Sequence, residues 1–175
     1  MSMQFFLASA LAAFLAVPVV AQVEKMEVTG IRNYSRVDAT VGCGGQVDPS
    51  AMATLKKEGF VSVINLREAR ELGANVDAGR AAAHAAGLKY IHLPFRISAP
   101  DPKIVDSFLA AVADPGNQPV FIHCGSASRV GGMWMIKRAL RDKWPIDKAR
   151  AEAETIGLNN AALTAFATEY INAHR

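Results

Sequence analysis

Residues 120–132 read Val-Phe-Ile-His-Cys-Gly-Ser-Ala-Ser-Arg-Val-Gly-Gly, and they hold the side chains best suited to chemistry. An apolar, β-prone run ends at His123 and Cys124. Gly125, Ser126, Ala127 and Ser128 then turn the chain, and Arg129 opens a segment in which Val130, Met133, Ile136 and Leu140 are spaced for one buried helical face. The backbone N–H groups of a small-residue loop can converge on a single anion as a nest. The helix N-terminus behind it adds unpaired N–H groups and partial positive charge. An arginine at that point can grip two oxygens of a phosphate-like group with its planar fork. The same field favours the thiolate form of Cys124, which is the nucleophilic form. Ser126 and Ser128 offer hydroxyl donors to the anion or to the sulfur.

The string His123-Cys124, a small-residue loop and Arg129 resembles the phosphate-binding loop of the cysteine-dependent tyrosine and dual-specificity phosphatases. Those enzymes place five residues between Cys and Arg, whereas this chain has four. Four is also the interval of rhodanese-type sulfurtransferases, whose tighter loop holds a persulfide. Elsewhere Gly44-Gly45-Gln46, Val63-Ile64-Asn65-Leu66-Arg67 and Tyr90-Ile91-His92-Leu93-Pro94 resemble, in order, a bacterial group of small phosphatase-like domains, some fused to β-lactamase-like hydrolases. The similarity runs from about Val28 to about Leu158.

The resemblance implies a phosphocysteine mechanism with Cys124 and Arg129 catalytic and residues 125–128 binding the phosphoryl group. Its alternative is a persulfide on Cys124. A catalytically silent anion-binding module is the third reading. Enzymes of the resembled group protonate the leaving oxygen with an aspartate after the third strand, a step worth about 10²–10⁴ in rate. Asp101 is the candidate here, although Ala99-Pro100-Asp101-Pro102-Lys103 also reads as a helix cap. Without an acid, aryl phosphates and phosphotyrosine are favoured over alkyl esters. Val130 stands where the phosphatase pattern has Ser or Thr after its Arg. His123 points to the other face of its strand, where it reads either as a support for the loop or as a core-packing residue. The expected partner is a phosphorylated protein or a small aryl phosphate.

These residues need a scaffold of alternating strands and helices. Asp48-Pro49 reads as a helix start with Asp48 as N-cap, ending at Gly59. Phe60–Leu66 reads as a strand buried on both faces. A turn at 67–72 and an Ala-rich helix over 77–86 follow, then a strand over 88–93 and a helix from Asp101-Pro102 through Val112. After the strand 119–122 and the loop, helices are expected over 133–141, over 147–156 and around Leu163, Phe166 and Tyr170. The alternation predicts an α/β three-layer sandwich with a mainly parallel central sheet, of the tyrosine-phosphatase kind. In such sheets ligands sit outside the carboxyl ends of the strands. Arg67 and Arg96 follow two other strands; each reads either as a guide of the anion to Cys124 or as a solvated surface charge, and Arg67 is the better candidate for the guide. Before these elements, short strands are expected at 26–28 and 37–41, with a Gly-rich turn at 42–46. Glu152 and Glu154 read as solvent-facing charges, and Trp134 and Trp144 as packing residues.

Residues 1–21 contain no charged side chain, and an apolar run extends from Phe5 to Val20. Val19-Val20-Ala21 reads as a cleavage site, so 1–21 is expected to be a signal peptide and 22–175 a single domain in the periplasm or outside the cell. The alternative is an uncleaved anchor, which Pro18 disfavours. All of the net charge of +3 then belongs to the domain. It suits an anionic substrate but offers no basic stripe for nucleic acid. No membrane association is expected once the signal is removed. His84, His92 and His174 lack metal-ligand spacing, so neither metal nor cofactor is expected. The two cysteines, Cys43 and Cys124, invite a reversible bond, because the Gly44-Gly45 turn is expected to bring Cys43 near the nucleophile.

Overall fold

The computed structural model describes residues 22–175. The expected signal segment lies outside the described residues. Six strands form one sheet: β1 (Glu24–Lys25), β2 (Ser35–Arg36), β3 (Val41–Gly44), β4 (Ser62–Asn65), β5 (Lys89–His92) and β6 (Val120–His123), in the order β1-β2-β3-β6-β4-β5. The β3, β6, β4 and β5 ladders are parallel, and the β1–β2 ribbon adds antiparallel to the β3 edge. The helices are α1 (Met52–Lys57), α2 (Val76–Ala85), α3 (Pro102–Ala113), α4 (Ser128–Leu140), α5 (Ile146–Ile156) and α6 (Ala161–His174).

The periodicities of the sequence account for these elements. In α3, Val105, Phe108, Leu109 and Val112 form one buried stripe. Along β4 all four residues are buried, and its polar members are satisfied: Ser62 donates to the Asn117 carbonyl at 2.6 Å and Asn65 Nδ2 donates to the Tyr90 hydroxyl at 2.7 Å. One core lies between the sheet and α3–α6; it contains Ile64, Phe108, Ile122, Trp134 and Leu163. A smaller core under α1 and α2 holds Tyr34, Leu55, Phe60, Val63 and Phe121. The architecture is the expected three-layer α/β sandwich.

Local expectations need correction at several points. The Gly-rich stretch at 42–46 is strand as far as Gly44, because its glycines face aromatic rings. A Cβ on Gly42 would lie 2.5 Å from Phe60 Cζ, and one on Gly44 would lie 2.8 Å from Phe121 Cζ. Asp48 makes no cap bond; a 3₁₀ turn over Pro49–Ala51 leads into α1 instead. Glu152 is not solvent-facing. Its carboxylate accepts from Trp134 Nε1 at 2.8 Å and from Arg138 Nε at 2.6 Å, in a network over the buried Trp134.

Candidate active site

Strand β6 is the centre of the parallel ladder, with β3 and β4 on either side. Its carboxyl end therefore opens into a groove flanked by the ends of its neighbours. Cys124 stands there, 1% exposed, with its N–H donating to the Gly44 carbonyl at 3.3 Å. The chain then turns through Gly125–Ala127. Ala127 takes a left-handed conformation, with φ of 77°, and α4 begins at Ser128. A left-handed residue at this point reverses the direction of successive amides, as a nest requires.

The loop is tied down by its carbonyls. Gly125 O accepts from Gln46 N at 3.0 Å, and Ser126 O accepts from Asn33 Nδ2 at 3.0 Å. Gly45 permits this approach, since a Cβ there would come within 3.1 Å of the Gly125 oxygen. Among the described residues the N–H groups of Gly125, Ser126, Ala127, Ser128 and Arg129 donate to nothing. A run of unpaired amides at a buried helix N-terminus is an anion receptor, because each needs an acceptor. Ser128 Oγ accepts from Asn159 N at 3.3 Å, which leaves its hydrogen available to the site.

Arg129 is held from outside the loop. Both Nη atoms donate to the Glu71 carboxylate, Nη2 at 2.6 Å, and Nη1 also donates to the Leu66 and Phe95 carbonyls at 3.1 Å. Nε makes no hydrogen bond among the described residues, so the Nε–Nη2 edge of the fork remains for an anion. Burial pulls the guanidinium pKa down. The Glu71 hydrogen bonds and the nearby Cys124 sulfur outweigh that and raise it. Burial works against ionised Glu71 too, yet hydrogen bonds from Arg129 and from the Glu68 amide bring its pKa to about 2. The sequence offered one signal for Glu71: its position four residues after Arg67 in a loop following a strand end. Its partnership with Arg129, 58 residues away, was not legible.

Arg67 does not serve as the expected anion guide. Its side chain is 5% exposed and turns into its own loop, donating from Nε to Glu71 at 3.3 Å, from Nη1 to Gly73 O at 2.8 Å and from Nη2 to Leu72 O at 2.7 Å. It holds Glu71, which in turn holds Arg129. Asp101 also differs from its expected catalytic place. It caps α3, accepting from Lys103 N at 2.9 Å, and it does not line the crevice above the loop. That crevice, of about 380 Å³, is lined by Ser126, Ser128 and Arg129 from the loop and by Glu68, Glu71, Arg96, Ile97 and Ser98 from the two flanking connections. Arg96 is thus where the topology predicts, paired with Glu68 at 3.0 Å through Nε. His123 is buried beside the backbone of Cys124 and Gly45, among the described residues without a hydrogen bond to either ring nitrogen, and burial lowers its pKa to about 4.

Cys43 and Cys124 are free and buried. Cys43 pairs with Ile122, so it lies one strand over and two residues back from Cys124 on the same face. Strand spacing and rise put the two Cα atoms about 8 Å apart. A disulfide spans roughly 4.4–6.8 Å, so the expected bond does not form without backbone movement. No group of three or more potential metal ligands occurs among the described residues.

The family model of the phosphatase-like domain of β-lactamase hydrolase-like proteins matches residues 33–141. No curated protein matches the chain. Among solved structures, a Shewanella putrefaciens protein described as a phosphatase superposes with a TM-score of 0.72 at 22% identity, covering 83% of this chain and 95% of that one. A Cys-to-Ser variant of Pseudomonas aeruginosa TpbA in complex with phosphotyrosine gives 0.66 at 18% identity over 89% and 91%. The core catalytic domain of the Saccharomyces cerevisiae PP-IP phosphatase SIW14 in complex with citrate gives 0.66 at 18% over 84% and 93%. At these identities the likeness establishes the fold.

Proposed function

Because the chain belongs to the family of phosphatase-like domains of β-lactamase hydrolase-like proteins, and is a phosphoric monoester hydrolase of the tyrosine-phosphatase type, we propose that Cys124 is its nucleophile and aryl phosphates, phosphotyrosine among them, are its substrates. The observation that carries this reading is the run of unpaired amides from Gly125 to Arg129 around a buried cysteine. Those amides and the open edge of Arg129 take the equatorial oxygens of the phosphoryl group. They bind most strongly as charge spreads over those oxygens in the transition state. The Cys124 thiolate attacks phosphorus; the S–P bond forms as the P–O bond breaks, and the electron pair leaves with the oxygen. Water then attacks the phosphocysteine, releasing inorganic phosphate and restoring the thiolate. The Ser128 hydroxyl, whose oxygen accepts from Asn159 N, donates a hydrogen bond to the sulfur as it leaves as thiolate. The TpbA relative, solved with phosphotyrosine, supports the choice of substrate.

A sulfurtransferase reading retains one supporting observation, the four-residue interval. One assay separates the two: phosphate release from a phosphotyrosine peptide and an aryl phosphate, against thiocyanate formation from thiosulfate and cyanide. Phosphate release should vanish in Cys124→Ser and fall by roughly 10²–10³ in Arg129→Ala. Thiocyanate formation without phosphate release would reverse the assignment. Export to the periplasm or beyond, with residues 1–21 removed, is part of the same proposal. It rests on the uncharged apolar run and is tested by cell fractionation with N-terminal sequencing. Recovery of the intact N-terminus from membranes would refute cleavage.

A further inference from the structure

The crevice poses a problem for any phosphomonoester: the leaving oxygen departs with an electron pair, and no acid stands ready to protonate it. Its two carboxylates are both committed to guanidinium groups. Glu71 is tied to Arg129 and Arg67, and Glu68 to Arg96, with Arg70 at 3.8 Å. Ion pairing keeps both in the charged form, which cannot donate a proton. Asp101 is occupied at the N-terminus of α3. Outside the phosphate receptor, the crevice offers a departing anion one cation, Arg96, and one neutral donor, the Ser98 hydroxyl; the cation offsets the developing charge more strongly.

Its placement fits. Arg96 directly follows Phe95, whose carbonyl accepts from Arg129 Nη1 at 3.1 Å. The two guanidinium groups thus enter the same crevice from adjoining supports. Its own partner is held in an exposed pair: the Arg96 side chain is 44% exposed, and Glu68, from the other connecting loop, accepts from its Nε at 3.0 Å and from its Nη2. Exposed pairs of this kind add little to stability, so an incoming oxyanion can displace the carboxylate at little cost.

We propose that Arg96 is a catalytic residue that stabilises the leaving group as an oxyanion, in place of a general acid, and so restricts the enzyme to substrates whose leaving group is stable as an anion. The proposal rests on the phosphatase reading above. As the P–O bond breaks, its electron pair passes to the leaving oxygen, which departs as phenolate against the guanidinium. A proton comes from solvent after departure. Phenols, with a pKa near 10, suit this route, and alkyl alcohols do not. Glu68 sets the threshold by competing for Arg96.

The test is a leaving-group series: kcat and kcat/KM for aryl phosphates from nitrophenyl to unsubstituted phenyl, plus an alkyl phosphate. It is run on the unaltered protein and on Arg96→Gln, Arg96→Lys and Asp101→Asn. In Arg96→Gln the loss should grow along the series, from under about 3-fold for the nitrophenyl ester to roughly 10- to 100-fold for the phenyl ester, the scale of one removed transition-state donor. Arg96→Lys should recover part of the phenyl activity, and Asp101→Asn should leave the slope unchanged. An equal loss across the series would make Arg96 a binding residue and overturn the proposal. A slope that steepens in Asp101→Asn would assign the acid role to Asp101 and overturn it as well. No phosphate release from any ester by the unaltered protein would refute the phosphatase reading itself, and the Arg96 proposal with it.

Discussion

Glu71→Gln tests the chain of contacts that aims Arg129. The substitution keeps the size and one acceptor oxygen but removes the charge that two guanidinium groups share. Lowering of the Glu71 pKa from 4.5 to about 2 sets an upper bound of about 3.4 kcal/mol on its ionised contribution at neutral pH, at 1.36 kcal/mol per unit. The side chain is partly exposed, and solvent screening reduces that to about 1–2 kcal/mol. A carboxylate held below its ordinary pKa stabilises the fold above the unfolded value and loses that contribution as pH falls through the folded one. The difference between the two proteins in urea unfolding should therefore be full at pH 7, shrink below about 4.5 and disappear near 2. Freed from its carboxylate, Arg129 samples other orientations, and kcat/KM for an aryl phosphate should fall roughly 10- to 100-fold, or about 1.4–2.8 kcal/mol. A stability difference that does not change between pH 7 and pH 3 would show that charge is irrelevant to the contact. A kcat/KM within 2-fold of the original would show that Arg129 needs no such support.

Gly45→Ala should push a Cβ against the Gly125 oxygen and weaken competitive inhibition by inorganic phosphate several-fold. It should cost about 1–3 kcal/mol in denaturant unfolding. Glu152→Ala leaves the buried Trp134 N–H without its acceptor and Arg138 with only Asp142 and Asp38, and should cost about 1–3 kcal/mol, with the activity of the folded fraction unchanged; a loss below about 0.5 kcal/mol would count against the network. Burial holds His123 near a pKa of 4 against 6.5 in a free chain, so the unfolded protein takes up a proton first. Stability should fall as pH drops from about 6.5 to 4, by up to about 3 kcal/mol, and His123→Gln should flatten that part of the profile.

Much of the site is legible in the amino-acid sequence. Cys124, the small-residue loop and Arg129 are adjacent in sequence, so local chemistry alone defined the receptor, and the strand–helix alternation placed it at a sheet end. Asp101 also shows how far local signals reach. Its sequence supported both a cap and an acid, and the cap is a contact two residues away. Arg67 and Glu71 could not be assigned this way. Whether Arg67 faces the anion or its own loop depends on how residues 67–74 fold back, and Glu71 acquires its role only when β4 and β6 pair and bring Arg129 beside it. Gly42 and Gly44 signalled a turn until Phe60 and Phe121 occupied the space above them. Short-range geometry is set by the residue types themselves. Which charges meet across the crevice depends on sheet order, because it joins segments whose separation along the chain carries no signal.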